Sequence, residues 1–342
     1  MHEPVILAVD GNSLVHRSFH AQAASGQRHW AVRGLLTQLL AAVERIRPAV
    51  VVVGFDDPGR SLRRERWPAY KAHRGEKLDS LVEQLAAAVA ALRALGVAVC
   101  VPEGLEADDV LASTAAFARR SGLRAVVVTS DRDAFCLIDD KTSVLRIING
   151  GVEASPLMTA DRLHLLLGVH PWQYRDFAAL RGDPSDNLPG VRGIGPRTAA
   201  RLLAEFGTAA AAFADPERVR ARLGTGIARR MAAPGAQYAW RLNCEVMALY
   251  ENVALDVRLD GGPGVLPLLA DAVGEVYRSH NLTWSAAHAL RVLAEMAAGA
   301  AEPAPAASDD EWRAYRSWGS RSAPAPRPIR ARPRPEQLSL FG

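Results

Sequence analysis

The chain has 342 residues, of which 49% are hydrophobic and 23% charged, with 41 Lys and Arg against 37 Asp and Glu for a formal net charge of +4. At roughly 150 residues per domain this is one large domain or two modest ones, and the composition excludes a wholly disordered chain or a fibrous repeat. The longest apolar stretches, among them Ala49–Phe55 and Val97–Val101, fall far short of the roughly 18 residues of a membrane span. Met1-His2-Glu3-Pro4 leads directly into a strand-like run without the basic, apolar and small-residue order of a signal peptide, so a cytoplasmic protein with no membrane partner is expected. Cys100, Cys136 and Cys244 are scattered, form no CxxC, and are expected as reduced thiols.

In chain order, Val5–Val9 reads as a short buried strand that ends at Asp10-Gly11-Asn12. Ala31–Arg47 carries Leu35, Leu36, Leu39, Leu40 and Val43 on one helical stripe. Ala49–Phe55 is a Val-rich run, the pattern of a strand covered on both faces in a parallel sheet. Asp79–Leu95 predicts a helix, Val97–Val101 a strand, Ala107–Arg120 a helix stopped near Gly122, and Ala125–Thr129 a strand that leads into Ser130-Asp131-Arg132-Asp133. This alternation predicts an α/β fold with a mainly parallel sheet. Beyond about residue 155 the strand signals fade, and Thr159–Gly168, Pro171–Arg181, Pro196–Phe206 and Thr283–Gly299 predict helices. From Ala300 to Pro335 the composition shifts to Pro, Ala, Ser and Arg, which predicts a disordered tail.

Acidic residues collect at the strand ends. Asp10 follows the first strand, Asp56 the second, and Asp131 with Asp133 a later one; Glu106, Asp108 and Asp109 open a helix just after another strand, and Asp183 and Asp186 lie three apart. Ligands of open α/β sheets bind beyond the carboxyl ends of the strands, so these acids are expected to converge at one edge. A lone Asp after a strand commonly caps a helix or forms a turn; Asp57, which points away from Asp56 on an extended strand end, is assigned to that role. Converging carboxylates need protons or counter-cations. Hard oxygen donors without clustered His or Cys select Mg²⁺ or Mn²⁺ rather than zinc, and two such ions about 4 Å apart serve phosphodiester hydrolysis. A helix beginning at Glu106 itself would put only Glu106 and Asp109 on one face; Asp108 joins them only if the start of that segment is irregular.

The blocks Val9-Asp10-Gly11-Asn12, Phe55-Asp56, Glu106-Ala107-Asp108-Asp109, Ser130-Asp131-Arg132-Asp133 and Gly182-Asp183-Pro184-Ser185-Asp186-Asn187 occur in this order, and Leu188-Pro189-Gly190-Val191-Arg192-Gly193-Ile194-Gly195 follows. Over roughly residues 4–290 the chain resembles the bacterial 5′→3′ exonuclease and flap endonuclease family, in a free-standing form. The resemblance implies a PIN-like metal-dependent nuclease domain over 1–155 with a basic arch at about 60–95. It also implies a helical DNA-binding region over 156–299 with a helix–hairpin–helix-like motif at about 186–207, and a disordered tail over 300–342. It implies two or more Mg²⁺ or Mn²⁺ ions, with Asp10, Asp56, Glu106, Asp108, Asp131 and Asp133 as ligands and Asp109, Asp183 and Asp186 completing the acidic cluster.

Arg60–Lys77 holds seven Lys and Arg residues opposed only by Glu65 and Glu76, with Trp67 and Tyr70 interleaved. Cations for phosphates and rings for bases are what a single-stranded nucleic-acid channel uses, and Arg63, Trp67 and Tyr70 are read in that role. By resemblance to the family's arch, Lys71 and Arg74 are assigned to transition-state charge stabilisation and Arg17 to phosphate contact, with His16 in place of a frequent Tyr. Gly190, Gly193 and Gly195 lie between short helices and are followed by Pro196 at a helix start, where backbone amides can approach an anion. They resemble the family's helix–hairpin–helix-like element, which implies duplex-backbone contact with Arg192, Arg197 and Arg201 beside it and K⁺ in the hairpin.

After the Pro- and Arg-rich tail, Gln337-Leu338-Ser339-Leu340-Phe341 is apolar at the end of a flexible arm and resembles the peptide by which bacterial replication proteins dock on the β sliding clamp. The expected activity is 5′→3′ exonuclease and flap endonuclease hydrolysis at 5′-flap, nicked or single-strand/duplex junction DNA, by a monomer, in Okazaki fragment maturation and repair. Two rivals are a PIN-type ribonuclease and a catalytically inactive DNA- or clamp-binding scaffold. The Gly190–Gly195 element and the arch argue against the first, and the full set of acids against the second.

Overall fold

The computed structural model describes residues 3–22 and 29–299; the clamp-peptide residues Gln337–Phe341 lie outside them. The first half alternates strand and helix: β1 (Val5–Asp10), α1 (Gly11–Gln22), α2 (Trp30–Ile46), β2 (Val50–Gly54), α3 (Leu62–Arg66), α4 (Asp79–Ala94), β3 (Ala98–Cys100), α5 (Ala107–Arg120), β4 (Arg124–Thr129) and β5 (Thr142–Arg146). A short β6 (Leu157–Met158) closes the edge. The sheet order is β3-β2-β1-β4-β5-β6, and all neighbours pair parallel except β6. From β1 the chain proceeds outward through β2 and β3, then returns to β4 on the other side of β1. The strand order therefore reverses between β1 and β4.

The Val-rich runs form central strands because branched side chains suit a pleated surface buried on both sides. Leu7, Val9, Val51, Val53, Val126 and Val128 face one layer, packed with α1, α2 and α4. Ile6, Val50 and Val52 face the other, against Val110, Ala115 and Ala118 of α5. Gly54 is where α5 comes closest: a Cβ there would stand 2.7 Å from Val110 Cβ and 3.1 Å from the carbonyl of Ala107. The missing side chain lets the start of α5 rest on the end of β2, which brings Glu106 and Asp108 toward Asp56.

The second half is mainly helical: α6 (Ala160–Leu167), α7 (Tyr174–Arg181), α8 (Pro196–Phe206), α9 (Ala209–Ala214), α10 (Pro216–Leu223), α11 (Thr225–Met231) and α12 (Ala236–Val246), with the two-stranded hairpin β7 (Gly182–Asp183) and β8 (Leu188–Pro189) between α7 and α8. Its core is continuous with the sheet, since Ala8, Val127, Phe135 and Val144 share one apolar cluster with Phe177, Leu202 and Met231.

The structure adds two elements that the sequence pattern does not announce, and it departs from one expected boundary. Gly11–Gln22 is a helix, hidden in sequence by the polar run Asn12, Ser13, His16, Arg17, Ser18, His20. Thr142–Arg146 is a fifth parallel strand, short and hemmed by charged and Gly-rich neighbours. The boundaries 156–299 do not delimit one unit: Val265 bridges Val50, and α13 (Ala270–Ser279) and α14 (Thr283–Ala297) return to the sheet layer. There Val276, Tyr277, Val292 and Leu293 pack with Leu35, Leu36, Leu39 and Val43 of α2, and the Tyr277 hydroxyl donates to the carbonyl of Leu36 at 3.0 Å. Each fully buried aliphatic side chain in such a layer contributes about 1.5–3 kcal/mol.

Candidate active site

The acids meet at the carboxyl edge of the sheet, around the point where strand order reverses. β1 ends in Asp10, whose Oδ2 accepts from Thr129 Oγ1 at the end of β4 (2.7 Å) and whose Oδ1 accepts from the Ser13 amide (2.8 Å). Two residues past β2, Asp56 Oδ1 accepts from the amide of Ala107 (3.0 Å) and Oδ2 from Asn12 Nδ2 (2.7 Å), while Asn12 Oδ1 accepts from the Asp56 amide. Asp56 thereby joins β2, α1 and the start of α5. Glu106 is the extended N-cap of α5 (φ −112°, ψ 164°) rather than its first helical residue. That irregular start frees Asp108 to line the same cleft as Asp10, Asp56, Glu106, Asp131 and Asp133. Asp183 lines it from β7, held by the Ser185 amide at 2.8 Å. The cleft has a volume of about 1560 Å³.

Asp109 is the exception, and a correction. It is fully buried and bound on both carboxylate oxygens by the Arg63 guanidinium at 2.6 Å each, with the amides of Glu106 and Tyr250 donating at 3.0 Å. It cannot face an ion in the cleft. Arg63 is corrected with it. Only 4% exposed, it also donates to Glu106 Oε2 (3.3 Å) and to the carbonyls of Val246 and Ala248, so it has no donor left for a phosphate. Tyr70 is buried too, against Leu188 and Val246, with its hydroxyl donating to Glu106 Oε2 at 2.9 Å; it is no base-stacking platform. Trp67 is half-buried beside it, with the Arg66 guanidinium 4.7 Å from its ring centroid. Asp57 accepts from the amides of Gly59 (2.9 Å) and Gly104 (2.7 Å), the turn-forming role expected of it.

The other arch cations reach the acids. Lys71 Nζ lies 3.1 Å from Glu106 Oε1, Arg74 Nη2 2.6 Å from Asp186 Oδ1, and Lys77 Nζ 3.9 Å from Asp56 Oδ2. Lys71 holds a left-handed backbone (φ +54°) while its amide donates to the carbonyl of Asp186 at 3.0 Å. Arg17 does not line the cleft: its guanidinium donates to the carbonyl of Ile148 and to Asn149 Oδ1 (3.0 Å), in the connection between β5 and β6. His16 and His20 do line it. The sequence reading passed over Asn12, Ser13, Thr129 and Ser130 as orienting groups. Their signal was adjacency to strand-terminal Asp residues.

Burial, with crowding added to it, sets the electrostatics. Burial pushes Asp10 up to about 7, with Asp56 and Asp131 adding to the rise and bonds from Ser13 and Thr129 opposing it. Burial followed by Asp131, Asp183 and Asp186 pushes Asp133 up to about 8, and burial with Asp10 and Asp131 raises Asp108. Burial also raises Asp186 against Lys71 and Arg74. For Lys71, burial alone would lower the ammonium, but Glu106, Asp186 and Asp108 outweigh it and raise it. Among the described residues no group of three or more His, Cys, Asp or Glu could by itself hold an ion. Mg²⁺ keeps several waters and takes one or two carboxylates. The carboxylate oxygens that line the cleft are hard donors of the kind such a cation takes.

In the hairpin, Gly190 is corrected: a Cβ there would lie 2.3 Å from the carbonyl carbon and oxygen of Arg181, so the glycine serves the β7–β8 crossing. Gly193 (φ +80°) abuts the Arg230 side chain. Gly195 is the N-cap of α8 with open space at its Cα, next to exposed Arg192, Arg197 and Arg201.

A carboxylate cleft walled by cations thus lies at the reversal point of a mainly parallel α/β sheet. The 5′-3′ exonuclease N-terminal resolvase-like domain matches residues 5–164 and the 5′-3′ exonuclease C-terminal SAM fold matches residues 169–261. The chain belongs to the 5′-3′ exonuclease family. It is 37% identical over 237 residues to DNA polymerase I of Mycobacterium bovis, covering 68% of this chain and 26% of that protein; it thus spans about a quarter of the length of such curated relatives. Among solved structures it shares its fold with the 5′-exonuclease of bacteriophage T5 bound to divalent zinc (TM-score 0.55, 19% identity, 84% of this chain and 99% of that one). It does so too with the catalytic core of Rad2 in complex with DNA substrate (TM-score 0.52, 15% identity, 86% and 92%).

Proposed function

We propose that this protein is a divalent-metal-dependent 5′→3′ exonuclease and flap endonuclease that cuts DNA near the junction of a 5′ single strand and a duplex. The observation that carries the reading is one cleft in which Asp10, Asp56, Glu106, Asp108, Asp131 and Asp133 stand opposite Lys71, Arg74 and Lys77. Family membership supports it, as do the metal-bound and DNA-bound states of the T5 and Rad2 structures.

Asp10, Asp56, Glu106, Asp108, Asp131 and Asp133 would hold Mg²⁺ or Mn²⁺, directly or through water, with Asp183 and Asp186 adding negative field. Such ions supply water activation and charge neutralisation in phosphodiester hydrolysis. The chain's own residues supply the rest. Asn12, Ser13 and Thr129 hold Asp56 and Asp10 in their orientations. Lys71 and Arg74, now paired with Glu106 and Asp186, are placed to neutralise the phosphate charge that grows as the bond breaks. Gly195, Arg192 and Arg197 at the start of α8 would take the duplex backbone, which positions a substrate without reading its bases; K⁺ in the hairpin belongs to this reading. Arg17, whose guanidinium donates to Ile148 and Asn149, keeps its expected role as a phosphate contact in this proposal. Primer and flap removal in replication and repair, cytoplasmic action at the nucleoid, a monomeric state and clamp docking through Gln337–Phe341 complete the proposal.

The test is a labelled 5′-flap duplex incubated with the full chain and Mg²⁺. Cleavage near the junction is expected, and Asp131→Ala should abolish it while retaining flap binding. Intact flap binding without cleavage by the unaltered protein would sink the enzyme reading.

A further inference from the structure

Beside the cleft lies a recess of about 30 Å³, lined by Asp108, Asp133, Cys136, Tyr174, Arg175 and Asp186 among others. At roughly 10–15 Å³ per water it has room for about two. Two side-chain atoms on this recess have no partner. Tyr174 Oη and Asp133 Oδ1 are both buried and unbonded, and Tyr174 is only 1% exposed. Buried polar atoms are rarely left this way in a folded protein, because each forfeits its bond to water. Neither group can easily turn away. The Tyr174 ring packs edge-on against Phe135 (centroids 5.5 Å, 74°) and beside Phe177 (5.9 Å). Phe135 belongs to the same 3-10 turn, Asp133–Leu137, that begins with Asp133. The ring contact therefore fixes the phenol relative to the carboxylate.

We propose that Tyr174 is a positioning residue for Asp133: its hydroxyl bonds Asp133 Oδ1 through water held in the recess and so fixes how this carboxylate presents to the cleft. The bond satisfies both orphaned atoms at once. A phenol-held water on the inner oxygen leaves the other oxygen for the cleft, where Asp133 also lines the wall. Outer partners of this kind orient carboxylates toward an ion, and their loss typically costs 10–100-fold in affinity.

The inference rests on the proposed divalent site, and the experiment separates the two. Mn²⁺ alone is titrated calorimetrically into the full chain, Tyr174→Phe, Asp133→Asn and the double variant. Tyr174→Phe removes only the hydroxyl and keeps the packing against Phe135 and Phe177. The expected result is roughly ten-fold weaker Mn²⁺ binding for Tyr174→Phe, and no further loss when it is added to Asp133→Asn. Unchanged affinity in Tyr174→Phe overturns the inference and leaves the divalent site standing. Equal losses in the native and Asp133→Asn backgrounds also overturn it, because the effect would then not pass through Asp133. If the native chain binds no Mn²⁺, both readings fall.

Discussion

Arg63 grips Asp109 with two parallel hydrogen bonds of 2.6 Å, and both side chains are shut off from solvent. The pair joins α3 at the foot of the arch to α5 at the back of the acidic cleft. A basic residue that charge pattern assigns to DNA is thus the counter-ion that allows a ninth carboxylate to stay buried behind the site.

Removing one member of a buried pair leaves the other charge uncompensated, which typically costs about 3–5 kcal/mol. Arg63→Ala should destabilise the protein by that amount in urea unfolding. A variant of native stability with weakened flap binding would return Arg63 to the DNA-contact role.

Lys71 is poised differently, 3.1 Å from Glu106 and facing the cleft. Lys71→Ala should slow single-turnover flap cleavage by about 100-fold or more, the scale on which removal of one transition-state charge partner acts. Flap affinity should change little. A loss confined to affinity would make Lys71 a substrate grip only.

The crowded acids make the metal-free protein sensitive to alkali. Asp10 and Asp133 sit near 7 and 8 against an ordinary 3.8. Between those limits the folded state binds more protons than the unfolded one, so stability falls as pH rises. Their contribution is complete below about pH 4 and is lost as pH climbs through 7 to 8, at about 1.4 kcal/mol per pKa unit. The melting temperature in EDTA should therefore drop between pH 6 and pH 9, and millimolar Mg²⁺ should restore it. A flat profile in EDTA would show that burial and crowding do not raise these carboxylates in solution.

Deleting Gln337–Gly342 should abolish binding to the sliding clamp in surface-immobilised assays while basal flap cleavage is retained. Such a tether raises local concentration without adding a catalytic contact. Undiminished clamp affinity of the truncated chain would refute the docking role.

The sequence by itself determined four of the parallel strands and most of the acidic edge. Val-rich runs have to be covered on both faces, and an Asp placed at the end of each parallel strand has to project from one edge; Asp10, Asp56, Asp131 and Asp133 were legible for that reason. Asp108 was legible only conditionally, because its direction depends on Glu106 being an extended cap rather than a helical residue. Only the tertiary structure decided which charges face the cleft. Arg63 and Tyr70 lie in the same basic stretch as Lys71 and Arg74, yet they turn inward because Val246, over 170 residues away in sequence, closes over them. The same limit hid the return of α13 and α14 to the sheet: an amphipathic stripe states that a face must be buried but not against which partner. Burial is a property of pairs of distant segments, and a charge or an apolar stripe acquires its role only when those segments meet.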